Sequence, residues 1–409
     1  MDFCPLNFIY PNSFYMLKNI VCALCVCVFS FEAAAQSIGL MPILQEIEQN
    51  NASLKAFSSL LESERFLLKS GNNLPDPQAG AFYLPFGDHS TGDYSEFQIT
   101  QSFEFPTVYG ARNNLIETQV SQNVLRYKLK RQEILLPAVQ LLHQLVFLDK
   151  KRIVVVERTL QAKTVYTQLQ KLFELEQIGI LEVNKGKIAW VQEQFKIDQL
   201  DADKKNILLQ LQSLNGGKEI QFDPSVFVEN LKIAPKDSIW ANKKYTDPEL
   251  LLLNQREEVA KQQIKLSKNQ ILPNLTAGYN YQGVAGSNYS GVYAGVSIPL
   301  WSGRNTVKAA EAQYQYQVSN SNATQNLAFS EFSKQYNQYQ ILLIKYTEYR
   351  QTLSGLESDA LLKEAYELGE FSFMEYYVEL QFYQKALDLI LEMENQLHLL
   401  KSDLLKHQL

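Results

Sequence analysis

The sequence predicts an α+β membrane protein. A few short amphipathic strands form part of a β-barrel shared between chains, and long α-helical coiled coils continue it. Three observations predict this: an N-terminal export signal, an internal repeat, and a contrast within each repeat. Two strands of alternating polarity there stand beside helical stretches almost free of glycine and proline.

The 409 residues are 46% hydrophobic and 20% charged, enough apolar material to fold rather than stay disordered. A net charge of −6 gives no electrostatic footprint for nucleic acid, so none is expected as a partner. Glycine (18) and proline (13) are sparse, which implies long uninterrupted helices. Only 4 histidines argue against a histidine-based metalloenzyme.

Ile20 to Phe31 is an apolar run preceded by Lys18 and followed by Glu32 and Ala33-Ala34-Ala35, the layout of a cleaved signal peptide over residues 1–35. Met16 reads as the true start, residues 1–15 as upstream extension, and Gln36 as the first mature residue. A transmembrane anchor is the alternative, but the run is roughly 12 residues against the ~20 a bilayer requires. All cysteines (Cys4, Cys22, Cys25, Cys27) fall in the leader, so the mature chain is expected to hold no disulfide and no thiolate metal site. Leu24 and Val26 before Cys27 are not the small residues of a lipidation box, so no acyl anchor is expected. No second apolar run reaches helix-spanning length. The exported chain is therefore either soluble or a β-barrel protein.

Leu74-Pro75-Asp76-Pro77 with Gln78-Ala79-Gly80 is echoed by Leu272-Pro273-Asn274-Leu275 with Thr276-Ala277-Gly278. Phe105-Pro106 followed by Gly110-Ala111-Arg112-Asn113 is echoed by Ile298-Pro299 and Gly303-Arg304-Asn305. Phe173-Glu174-Leu175 with Glu182 is echoed by Tyr366-Glu367-Leu368 with Glu375. The echoes keep one order at nearly one interval, which divides the chain into a first repeat (36–214), an insert (215–246) and a second repeat (247–409). Each repeat is expected to run helix, two strands, long helix, tight turn, returning helix. The first opens with a helix from Ile38 to Leu68, and a Gly71-Asn72-Asn73 cap stops it.

The strands are expected at 78–84 and 96–105, then 275–282 and 291–300. Phe97, Ile99, Phe103 and Phe105 alternate with Glu96, Gln98, Thr100, Ser102 and Glu104. Leu275, Tyr279, Val292 and Val296 alternate likewise with polar or small residues. A half-buried soluble sheet would read the same way in isolation. Export, aromatic strand ends and the loop at 283–288 favour strands of outer-membrane length. Four strands cannot close a barrel, and open edges cannot be left in lipid, so several chains must share one.

The hairpins are expected at 110–214 and 303–405. From Gly303 to Leu368 there is no proline and one internal glycine, Gly355; at 1.5 Å per residue the stretch spans roughly 100 Å. Tyr336, Tyr339, Leu343, Tyr346 and Leu353 are spaced as a coiled-coil seam. Pro137 should kink or bound the first long helix. Ser372 and Glu375 form a capping-box pattern opening the last helix. Ile220 to Tyr245 lacks periodicity and is expected to be irregular, on the outside of the helices.

With these residues in place, the mature chain resembles the TolC-type outer-membrane efflux proteins, nearer the heavy-metal (CusC- and CzcC-like) branch. The resemblance rests on Leu74-Pro75-Asp76-Pro77, Gln101 to Phe105, Leu272-Pro273-Asn274, Ser297 to Arg304 and Leu368-Gly369-Glu370-Phe371-Ser372. It implies a homotrimer with a twelve-stranded barrel in the outer membrane, four strands from each chain, and a long α-helical coiled-coil barrel reaching across the periplasm. It also implies an equatorial belt, to which residues 215–246 belong, and docking of the helical tips on a periplasmic adaptor (a membrane fusion protein) and an inner-membrane pump of RND type. The implied function is the exit duct of a tripartite efflux system, passively exporting small molecules or metal ions. The first tip, Leu175 to Gly179, departs from the usual Leu-Gly form.

The turn residues Leu368, Gly369, Glu370, Phe371 and Ser372, with Leu175 and Gly179, are the candidates for adaptor docking. The plain alternative is that Gly369 and Ser372 only build and cap the turn. By the resemblance, Glu375 corresponds to a gate acid. Glu379 lies one turn further, and in a symmetric assembly each would form a ring favouring cations. The alternatives are capping for Glu375 and a solvated face for Glu379. No catalytic constellation appears: His89, His143, His398 and His407 lack metal spacing, and phosphate-loop, nucleophile-elbow and dinucleotide motifs are absent from the sequence. Neither enzyme activity, nor a metal, nor a cofactor is expected. The competing functions are a periplasmic coiled-coil adaptor or structural protein, which would carry one hairpin flanked by β-rich domains, and the outer-membrane duct of a protein-secretion system.

Overall fold

The computed structural model describes residues 40–84, 87, 88, 90, 92–224, 230–284, 286–354 and 358–409. The signal peptide, the start at Met16, all four cysteines, His89 and Gly355 lie outside the described residues. In chain order the elements are α1 (Leu40–Asn50), α2 (Ala52–Ser70), β1 (Gln78–Leu84), β2 (Tyr94–Phe103), α3 (Pro106–Glu174) and α4 (Ile180–Leu214). These are followed by α5 (Lys236–Thr246), α6 (Pro248–Asn269), β3 (Asn274–Val284), β4 (Ser287–Ser297), α7 (Thr306–Ser354), α8 (Ser358–Glu367) and α9 (Phe373–Leu404), and a 3-10 turn (Lys406–Gln408) ends the chain.

The expected opening helix is two helices. Asn51 breaks it because its side chain caps α2, accepting from the Leu54 amide at 2.9 Å, while donating to the Leu214 carbonyl at 2.7 Å. The break seats α1 on the end of α4, where Gly216 takes a positive φ of 66° and an added Cβ would lie 2.5 Å from the Asn50 carbonyl oxygen. α3 continues through Pro137 as one helix of 69 residues, roughly 100 Å long. Pro137 is exposed, so the carbonyl it leaves unbonded faces solvent, and Leu135, Ala138, Leu142 and Leu145 bury the opposite side. The insert is not irregular throughout. α5 forms within it, burying Ile239 and Trp240 against Phe332 of α7.

Two apolar cores hold the helices. One joins α1, α2, α3 and α4 through Ile47, Leu54, Leu142, Leu145 and Leu211. The other joins α5, α6, α7 and α9, and the expected seam lies in it: Tyr339 and Tyr346 are buried, with Tyr336, Leu343 and Leu353 packed against them. The Tyr339 hydroxyl also donates to the Leu231 carbonyl of the insert.

The strands form one antiparallel sheet in the order β1-β2-β3-β4. β2 and β3 are neighbours despite the helices between them, with Gln98 opposite Asn280 and Phe103 opposite Leu275. β2, β3 and β4 each begin earlier in the chain than the alternation indicated. Within the chain β1 and β4 pair on one side only, so the sheet does not close on itself. Its polarity is inverted relative to a soluble sheet. Phe97, Ile99, Leu275, Tyr279 and Val296 are exposed, and Val292 is 93% exposed, whereas Glu96, Gln98, Thr100, Thr276, Asn280 and Gln282 are half-buried. A sheet curled around its polar face produces this pattern.

Candidate functional site

The candidate residues lie at two helical turns. After α3, the Leu175 amide donates to Lys171, Glu176 takes φ 58°, and the amides of Glu176 and Gln177 donate to the carbonyls of Phe173 and Leu172. After α8, the Leu368 amide donates to Glu364, Gly369 takes φ 78°, and the amides of Gly369 and Glu370 donate to Tyr366 and Ala365. Each turn closes its helix by the same left-handed capping pattern. The exposed apolar side chains on the turns are Leu175 and Leu368, beside exposed Glu176, Gln177 and Glu370.

The next helices start unequally. Ser372 caps α9: its hydroxyl accepts from the Glu375 amide at 3.3 Å, and the Glu375 carboxylate accepts from the Ser372 amide at 2.8 Å. Hydrogen bonding to the carboxylate from the Ser372 side chain and from its backbone amide holds the Glu375 carboxyl below its ordinary value. Glu375 therefore is a capping residue and carries its negative charge at the tip. Gly179 caps α4 with no side-chain bond, although Glu182 stands where Glu375 does. Glu379 is exposed one turn into α9, on the face that also carries Val378 and Phe382. The two turns adjoin, because Tyr376 of α9 packs on the same Val165, Leu169 and Val183 cluster as Ile178 of the first turn.

Above the turns a buried charge joins the hairpins. Arg158 of α3 donates from Nη1 to the Asp388 carboxylate at 2.9 Å and from Nη2 to the Gln384 carbonyl at 2.8 Å, both on α9. Arg158 is 5% exposed. Sequence reasoning missed it, although a signal was present: it stands in the apolar series Val155, Ala162, Val165, Leu169. Sequence reasoning also treated His143 and His398 as scattered, and the fold stacks their rings with centroids 4.9 Å apart. Among the described residues no cluster of His, Asp and Glu could hold a metal ion, and no helix is long and apolar enough to cross a membrane.

No family model and no curated protein matches the chain. Solved structures do. The outer-membrane channel OprN superposes with a TM-score of 0.74 at 12% identity, over 90% of this chain and 89% of that one. The Campylobacter jejuni CmeC outer membrane channel gives 0.72 at 15% identity, over 90% and 85%. CusC, described for its transmembrane channel formation, gives 0.71 at 14% identity, over 88% and 90%. The inverted sheet, the paired hairpins and these superpositions agree: the chain has the fold of the TolC-type outer-membrane channels.

Proposed function

We propose that the protein is a passive exit duct in the outer membrane, extending into the periplasm, built as a homotrimer whose sheets close a twelve-stranded barrel. The observation that carries this is the sheet: its apolar face is bare, the polar face of β2 and β3 is half-buried, and among the described residues β1 and β4 pair on one side only, an arrangement lipid accepts only in a closed barrel. Three chains supply twelve strands around a wet bore, and the helices prolong the bore. The chain is read as two structural repeats, 36–214 and 247–409, around a belt insert at 215–246.

In this reading Leu368 to Ser372, with Leu175 and Gly179, meet a periplasmic adaptor, and an inner-membrane pump of RND type supplies the drive. Glu375 and Glu379 line the narrow end. No bond is made or broken by this chain. The adaptor alternative fits less well, since two long hairpins rise from one sheet rather than one hairpin from β-rich domains. The test is fractionation followed by mass measurement. The protein is expected in the outer membrane, with a detergent-solubilised mass of three chains and ion conductance in planar bilayers. Recovery as a soluble periplasmic protein or a stable monomer would overturn the reading.

A further inference from the structure

α3 and α9 come from different hairpins, and a polar ladder joins them. Its rungs are Gln140 to Asp403 (3.0 Å), Lys150 to Glu394 (2.8 Å) and Arg158 to Asp388 (2.9 Å), and just past the end of α9 Gln132 donates to the Lys406 carbonyl of the terminal turn (2.7 Å). These rungs are neutral or charge-assisted hydrogen bonds. Between Gln140 and Lys150 the rung is of another kind: His143 and His398 lie face to face, 4.9 Å between centroids and 16° between planes. They are 3% and 7% exposed, and each follows or precedes a fully buried leucine, Leu142 and Leu397.

We propose that the His143–His398 stack is a proton-responsive joint between the two hairpins: it holds α3 against α9 while at most one ring is charged, and loosens the seam when both are. The physical basis is like-charge repulsion in a water-poor contact. A neutral imidazole stacks comfortably on a neutral or charged one. Two imidazolium ions at this distance repel, and burial weakens the screening that solvent and salt would supply. Lysine, arginine and carboxylate rungs keep their charges between pH 7 and 5, so imidazole is the group type that changes there.

Most of the charged groups along this stretch have partners of their own. On α3, Lys150 is matched by Glu394 of α9, and Asp149 by Lys204 of α4. On α9, Asp403 accepts from Gln140, and burial pushes its carboxyl above the ordinary value. From α7, Tyr346 and Arg350 contact one another beside Glu394. Further along, His407 stands by the buried Lys243–Asp247 pair and belongs to the terminal turn rather than to the stack.

Hydrogen exchange of the full-length protein in detergent tests the joint, with rates corrected for the intrinsic effect of pH. In the wild type, protection over residues 138–148 and 393–401 is expected to fall about tenfold or more between pH 7.5 and 5.0, one unit of proton affinity being a factor of ten. In the His143→Phe/His398→Phe variant, which keeps two stacked rings without a proton site, protection should stay within about twofold across that range. If the double variant does not fold, His398→Gln removes one site and should cut the wild-type drop at least threefold. A wild-type change below about twofold, or an undiminished drop in the variant that folds, overturns the proposal. Conductance is not used, so failure here leaves the channel reading standing.

Discussion

Glu176 and Gly369 hold the same place in the two hairpin turns. Both have left-handed backbone, φ 58° and 78°, and both amides close the third-residue bond of the turn. Glycine adopts that conformation freely, whereas a side chain at Cβ crowds the following carbonyl. The first turn therefore carries strain that the second does not.

Glu176→Gly is accordingly expected to stabilise the protein by about 1 kcal/mol, and Gly369→Ala to destabilise it by a similar amount. Denaturant midpoints of the solubilised protein decide it. A stabilising Gly369→Ala would mean the turns are held by something other than backbone preference.

Arg158 is the second expectation. Replacing it by Met leaves the Asp388 carboxylate and the Gln384 carbonyl without the guanidinium in a largely buried seam. A loss of about 2–3 kcal/mol is expected, and Arg158→Lys should recover part of it, keeping the charge but losing the two-pronged reach. Equal stability of Met and Lys variants would show that the charge is immaterial to the seam.

Much of the architecture was legible because it follows from periodicity. Alternation found the strands, and the capping box at Ser372 and Glu375 located α9 to within a residue. What escaped depends on contacts between distant segments. The break at Asn51 needs the end of α4. The early start of β2 and the late end of β3 come from pairing Tyr94 with Val284, which no local pattern encodes. α5 is fixed by Trp240 stacking on Phe332 rather than by its own amphipathicity. The tip residues were legible as turns because glycine and serine signal turns. Arg158, His143 and His398 were not, because a polar group in a helix face acquires meaning only from the helix opposite.

The terminal turn gives a pH prediction. Burial, reinforced by Lys243 and opposed by Asp247, lowers the proton affinity of His407 in the folded protein. Well above pH 6.5 neither the folded nor the unfolded chain binds the proton, and the docking is at full strength. As pH falls below that value the unfolded chain protonates first, and stability is lost until the folded ring protonates too. Exchange protection of residues 402–409 should therefore fall on acidification in the wild type and less so in His407→Gln. The same slope in both would assign the effect elsewhere.

The last prediction concerns Glu375 and Glu379. If the assembly is a symmetric trimer with these residues at its narrow end, three copies of each acid gather negative charge in a confined bore, where potentials are focused. The Ser372 bonds keep Glu375 ionised further into acid than a free carboxyl, so its charge persists until the pH falls through that lowered value. A multivalent cation added on the periplasmic side should then block conductance. Glu375→Gln can still accept from the Ser372 amide, so the helix start should survive, and Glu379→Gln changes an exposed position. Ser372→Ala, by contrast, removes the cap itself and should cost about 1 kcal/mol without removing either charge. Planar-bilayer recordings separate the roles. Block relieved at least tenfold in the double Gln variant but retained in Ser372→Ala assigns the acids to the bore. Block unchanged in the double Gln variant would leave Glu375 as a cap and Glu379 as a solvated side chain.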